Sequence, residues 1–315
     1  LDPATFWQAR EIPGRDALKA RIAALSGGTA VAYGVRSAGG QLFYQVRPAG
    51  ADNFKLAVRT GAAGAERILI DPTTMKGDGG VHLSLDWWTP SPDGKWVVYG
   101  LSAAGSENSV AHVMEVATAR VLPERIGGTQ YAQPAWLPDS SGFFYWRVAD
   151  LGKAGTVDYY QNGPSLLHRL NTDPKDDPVV MRRGKDPAVD VAANEFPYVL
   201  TPQTGDFVLM LVQGGVRREN PLYVARLADL MAGQAQWKPV CTLDDQVVDF
   251  AFDGSDLYLL TTRGAENGKV LRTPLAQASY REATVVVPEG PLVIEGIVLA
   301  RDGLYVRDLD GGYHT

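Results

Sequence analysis

The chain of 315 residues is long enough to bury one large core or two smaller ones. Hydrophobic residues make up 45% and charged residues 21%, an ordinary globular balance, and no run approaches the roughly 18 apolar residues of a membrane span. A net charge of −6 argues against a nucleic-acid partner, which needs a basic face. The one cysteine, Cys241, excludes an intrachain disulfide and a cysteine-based metal cluster.

In chain order, residues 16–25 space Ala, Leu and Ile for a short helix, with Gly27 and Gly28 as its stop. Trp7 and Ile12, ahead of it, are apolar and call for a covering surface. Residues 1–28 are therefore expected as a helical segment outside the main fold, and residues 29–315 as the main domain. From Thr29 the helical period gives way to short strands. Strands over 30–35, 41–46, 55–59 and 66–70, joined by Gly- and Asp-rich turns, make one four-stranded unit. Further units are expected over 83–122, 131–181, 196–243 and 247–287. A sixth begins at Leu292 and reaches about half its length at Thr315.

A turn signal marks each later unit. Pro92-Asp93-Gly94 precedes Trp96-Val97-Val98-Tyr99, and Pro138-Asp139-Ser140-Ser141-Gly142 precedes Phe143-Phe144-Tyr145-Trp146. Pro202-Gln203-Thr204-Gly205, Asp253-Gly254 and Asp302-Gly303 stand in the same place before later strands. The turn glycines 94, 142, 205, 254 and 303 are 48, 63, 49 and 49 residues apart. An all-β repeat of this length is the mark of a β-propeller. The long interval places extra residues at 149–163, an expected exposed loop carrying Tyr159 and Tyr160.

The residues that carry chemistry are few. A hydrolase nucleophile needs the G-x-S-x-G elbow, and the nearest match, Gly100-Leu101-Ser102-Ala103-Ala104, lies in a strand with alanine at the last position. His82, His112, His168 and His314 each stand alone in a strand or turn with no paired zinc spacing, and read as satisfied structural or surface imidazoles. Gly264-Ala265-Glu266-Asn267-Gly268-Lys269-Val270 falls one residue short of a phosphate loop and reads as a hairpin turn. Trp87, Trp88, Trp96, Trp136 and Trp146 read as packing between units, and Cys241 as a core thiol. Val97-Val98 and Val247-Val248 are expected on inner strands, where no carboxylate or metal set repeats. No cofactor is expected.

The stretch 91–107, SPDGKWVVYGLSAAGSE, closely resembles the propeller of prolyl oligopeptidases. So does the order of segments around it: Ile68-Leu69-Ile70-Asp71-Pro72 before, then Ala135-Trp136-Leu137-Pro138-Asp139, and Leu166-Leu167-His168-Arg169-Leu170. The resemblance implies an all-β fold, the seven-bladed prolyl oligopeptidase propeller, here incomplete at about five and a half blades. It also implies an α/β-hydrolase domain as partner, with the propeller capping its active site and admitting short peptides. The N-terminal helical segment would pack on that domain. By the same resemblance Tyr131 and Met181 face substrate, and no residue of this chain is catalytic. The expectation is a non-catalytic part of a longer serine peptidase, located in the cytoplasm, with the periplasm as the alternative. The unfinished sheet also leads to an expectation of self-association. A stand-alone propeller binding a protein or peptide is the second reading, and a propeller enzyme with a site in its channel is the third.

Overall fold

The computed structural model describes residues 13–25, 28–51 and 53–314. Trp7 and Ile12 lie outside them. Helix α1, Arg15–Leu25, buries none of its residues, and Leu18, Ile22 and Leu25 stand exposed. All six expected units form as antiparallel sheets, five of four strands and a last one of three. Blade 1 is built from Val31–Ala38, Gln41–Arg47, Lys55–Thr60 and Arg67–Ile70. Blade 2 runs from Leu83–Pro90 to Ile126–Gly127, blade 3 from Ala135–Trp136 to Val179–Met181, and blade 4 from Glu195–Leu200 to Lys238–Cys241. Blade 5 runs from Val247–Phe252 to Thr284–Val287, and blade 6 holds Val293–Ala300, Gly303–Asp310 and Tyr313–His314.

Within each blade, each strand pairs with the next in sequence. The core therefore lies between blades. One cluster joins Phe43, Leu56 and Ile70 of blade 1 to Trp88, Val97 and Tyr99 of blade 2. Another joins Trp146 of blade 3, Leu209 and Leu222 of blade 4, and Leu257 and Leu259 of blade 5. The middle strands are covered on both faces, which explains their unbroken apolar runs. Trp88, Trp136 and Trp146 are buried in these seams, and Trp87 donates its indole N–H to the Thr129 carbonyl at 2.8 Å. A Cβ on Gly100 would come within 2.4 Å of the Trp87 ring, so only glycine lets that indole lie on its strand.

The first strand of each blade is the innermost. Their C-terminal ends converge on one cavity of about 470 Å³, lined by Ser37, Pro90, Ala135, Leu200 and Phe252 from five blades. This corrects the sequence reading of Val97 and Val98. They lie on Trp96–Ala103, the second strand of blade 2, and are fully buried; Val247 and Val248 do lie on a first strand. Neighbouring hairpins interlock at this end. Gly39 donates to the Pro92 carbonyl at 3.1 Å, and Asp93 donates its N–H to Ser140 Oγ at 3.3 Å. Gly39 has φ +55°, and a Cβ there would sit 2.1 Å from the Asp93 carbonyl oxygen.

One half-buried imidazole gives the fold an acid-sensitive element. His112 stacks on Tyr99 with ring centroids 5.5 Å apart. Burial, aided by the charge of Arg125, lowers its pKa from 6.5 to about 4. The unfolded chain thus takes up a proton that the folded chain refuses across this window. Stability from this group is full above pH 6.5 and is lost as pH falls toward 4, by about 3 kcal/mol in all. His112→Phe should flatten urea stability against pH between those limits. In Asp71, Asp93 and Asp253, burial opposes ionisation but hydrogen bonds more than offset it and lower the pKa. Their acid sensitivity lies below pH 3.8 and remains in the variant.

Candidate functional site

The two ends of the first strands differ in chemistry. At the end where the first strands begin, Tyr131 precedes blade 3 and stacks on Phe196, centroids 6.0 Å apart and planes 20° from parallel. Tyr160 lies tilted against Tyr131, with centroids 5.5 Å apart. Tyr131 is 46% exposed and Tyr160 37%, while Phe196 rests on the buried Trp146 at 4.3 Å. Together these rings form an aromatic wall with a solvent-facing edge, suited to the flat apolar faces of a peptide.

The wall is held by the loop over 147–164. Asp150 accepts from the Gly152 N–H at 2.9 Å, and Asn162 donates its N–H to the Ala193 carbonyl at 2.7 Å. Tyr159 donates to Asn108 Oδ1 at 3.3 Å, across to blade 2. The sequence reading placed both loop tyrosines on the surface. Only Tyr160 is there; Tyr159 is 5% exposed because its ring packs into the seam with Trp146 and Tyr198.

Met181 is elsewhere. It ends the outer strand of blade 3, is 1% exposed, and packs with Val189, Tyr223 and Trp237 against blade 4. Its packing partners are different from those of Tyr131. Phe196 is the partner that the sequence did not single out. Its signal was an aromatic at the start of a first strand, visible only once the strand order was known.

At the other end, four blades are stitched around the cavity. Arg36 donates from Nη1 to Thr89 Oγ1 at 3.0 Å. Trp136 donates its indole N–H to the Thr89 carbonyl at 3.1 Å, and Thr201 donates to the Trp136 carbonyl at 2.6 Å. A second cavity opens beside the first and shares Ser37, Gln203 and Phe252 with it, adding Leu299, Ala300 and Arg301 of blade 6.

The remaining candidates are structural. Ser102 is buried and donates to Asp86 Oδ1 at 2.9 Å, and Ser109 donates to the other carboxylate oxygen. Ser102 has no imidazole partner among the described residues, so it lacks the base that an activated serine needs. Cys241 donates to the Asn220 carbonyl at 3.2 Å, and burial pushes its pKa up to about 12, which keeps it a thiol. The turn over 262–268 is a hairpin connection. His168 is a buried structural imidazole, as the sequence reading had it, with carboxylate neighbours that the sequence did not show. Its Nδ1 lies 3.0 Å from Asp177, which also accepts from Tyr145 at 2.8 Å, and its Nε2 lies 3.8 Å from Glu124. Among the described residues no group of three or more His, Cys, Asp and Glu is arranged to hold a metal.

The family model for the prolyl oligopeptidase N-terminal beta-propeller domain matches residues 8–315. Prolyl oligopeptidase A of Amanita bisporigera is 25% identical over 243 residues, 70% of this chain and 30% of that protein. Prolyl endopeptidase of Elizabethkingia meningoseptica is 25% identical over 268 residues, 84% of this chain and 36% of that one. The chain thus spans about a third of these relatives. A solved structure from a study of two prolyl endopeptidases and their inter-domain dynamics superposes with a TM-score of 0.81 at 25% identity, covering 97% of this chain and 43% of that one. Prolyl oligopeptidase B of Galerina marginata, bound to a 35mer hydrolysis and macrocyclization substrate, shares the fold with a TM-score of 0.75 at 18% identity, over 94% of this chain and 42% of its own. The propeller of six successive sheets, the turn repeat and the match over nearly the whole chain agree: the chain belongs to the prolyl oligopeptidase family, as its N-terminal β-propeller domain.

Proposed function

We propose that this propeller caps the active site of a serine peptidase and restricts that site to short peptides. The observation that carries the reading is the stitched mouth. Hydrogen bonds from Arg36, Trp136 and Thr201 link four blades around a cavity of about 470 Å³. A folded domain is far larger than this space, whereas an extended peptide is narrow. The aromatic wall of Tyr131, Phe196 and Tyr160 at the opposite end offers such a peptide an apolar surface. The exposed Leu18, Ile22 and Leu25 of α1 are the apolar face that would pack on a hydrolase domain. Catalysis itself belongs to that domain, which supplies the nucleophile, the base and the oxyanion site.

The test uses the product of the complete coding region alongside the 315-residue chain. The longer protein should hydrolyse short proline-containing peptides and leave a folded protein intact, and this chain should hydrolyse neither. Tyr131→Ala in the longer protein should raise KM for a short peptide roughly threefold to tenfold with its fold unchanged. Equal cleavage rates for a folded protein and a short peptide would overturn the capping role.

A further inference from the structure

We propose that Arg36 is a carboxylate-binding subsite at the stitched mouth of the channel, taking an acidic side chain or the terminal carboxylate of a peptide. The inference rests on the channel being a peptide route, and it adds a charge preference to that route. Arg36 lies on the first strand of blade 1, and its guanidinium sits over the Trp88 ring at 5.0 Å. The ring and the Thr89 hydroxyl fix the plane of the group. Of the five donors a guanidinium carries, Nη1 meets Thr89 and none meets a carboxylate; among the described residues Arg36 forms no ion pair.

The surroundings strengthen the field of this charge. The cavity wall is otherwise uncharged and rich in proline, with Pro90, Pro92, Pro134 and Pro202 in its lining. Arg36 is exposed to the cavity, and desolvation by the protein around it lowers its pKa from the ordinary arginine value. A guanidinium held by a ring and a hydroxyl, and without an anion, favours an incoming carboxylate more than an unrestrained surface arginine would. Two charged residues line the adjoining cavity. Arg301 adds to the positive side. Asp253 opposes it, but its Oδ1 is turned back into its own turn, accepting from the Ser255 N–H at 2.7 Å and the Asp256 N–H at 2.8 Å.

The test titrates the 315-residue chain with four short proline-containing peptides by calorimetry, following the Trp88 indole by NMR. One pair differs only in a free or amidated C-terminus. The other pair is amidated and differs only in Glu or Gln. At least one charged peptide should bind about tenfold tighter than its neutral twin, and the pair that shows it identifies the source of the carboxylate. The preference should shrink with added salt, vanish in Arg36→Gln and persist in part in Arg36→Lys. Circular dichroism confirms that both variants fold. Charge-blind binding, or a preference that survives Arg36→Gln, overturns the subsite and leaves the peptide route standing. Failure of every peptide to bind overturns the route and the subsite together.

Discussion

Trp146→Ala is expected to lower the unfolding free energy by about 3–5 kcal/mol, the range for deleting a buried aromatic. Trp146 ends the strand Gly142–Trp146 and is fully buried at the seam joining blades 3, 4 and 5. Its indole N–H donates to the Gly163 carbonyl at 3.0 Å, and a Cβ on Gly163 would come within 2.1 Å of the ring. The ring therefore supports the loop over 147–164 as well as the core. Strands on both sides fix the walls, so the space left by truncation cannot collapse well. Phe196 loses its support at 4.3 Å, and with it the stack under Tyr131. Urea denaturation should show the lower midpoint, and hydrogen exchange should rise in the loop. Trp146→Phe, which keeps a ring but loses the indole N–H, should cost less. Equal stability of Trp146→Ala and the parent would contradict the packing described.

His168→Leu should cost about 1–3 kcal/mol, for the loss of a buried hydrogen-bond partner rather than for packing. The imidazole is fully buried, and its two carboxylate neighbours, Asp177 and Glu124, have side chains only 2% exposed. Glu124 Oε1 accepts the Asn171 N–H at 2.9 Å, which ties the end of blade 2 to a turn of blade 3. Leucine fills similar space but leaves Asp177 without its ring N–H partner. Burying a carboxylate without a compensating partner is costly. The Tyr145 hydroxyl remains with Asp177, and the same neighbourhood, burial first, raises the Tyr145 pKa. Adding Asp177→Asn replaces the buried carboxyl group, left short of a donor, by an amide and should restore part of the loss. A double variant no more stable than His168→Leu would show that the penalty comes from packing alone.

Much of the architecture was legible in the chain itself. The turn at Pro92-Asp93-Gly94 and its later copies are local signals, fixed by backbone preferences over a few residues. The strand runs that follow them, such as Phe207–Gly214, have the length and composition of covered strands. Helix α1 was visible from its spacing and its glycine stop. The span 91–107 was enough to suggest the family, which the match over residues 8–315 establishes. The role of Trp88, Trp136 and Trp146 in the seams followed from their place on strands.

What the sequence left open concerns residues that meet across blades. Gly142–Trp146 is buried at every position, so it shows no alternation to tell one face from the other. For the same reason Val97 and Val98 were read on an inner strand when they lie on the second. His168 reads as a lone imidazole until the seam brings Glu124 and Asp177 to it, and Tyr131 meets Phe196 only because successive first strands stand side by side. By itself the sequence determined the repeat, the strand class and the family, because these rest on local turns and on composition. The packing of successive blades decided which strand is innermost and which side chains share the mouth, because Arg36, Thr89, Trp136 and Thr201 come from four separate blades and only that packing brings them together.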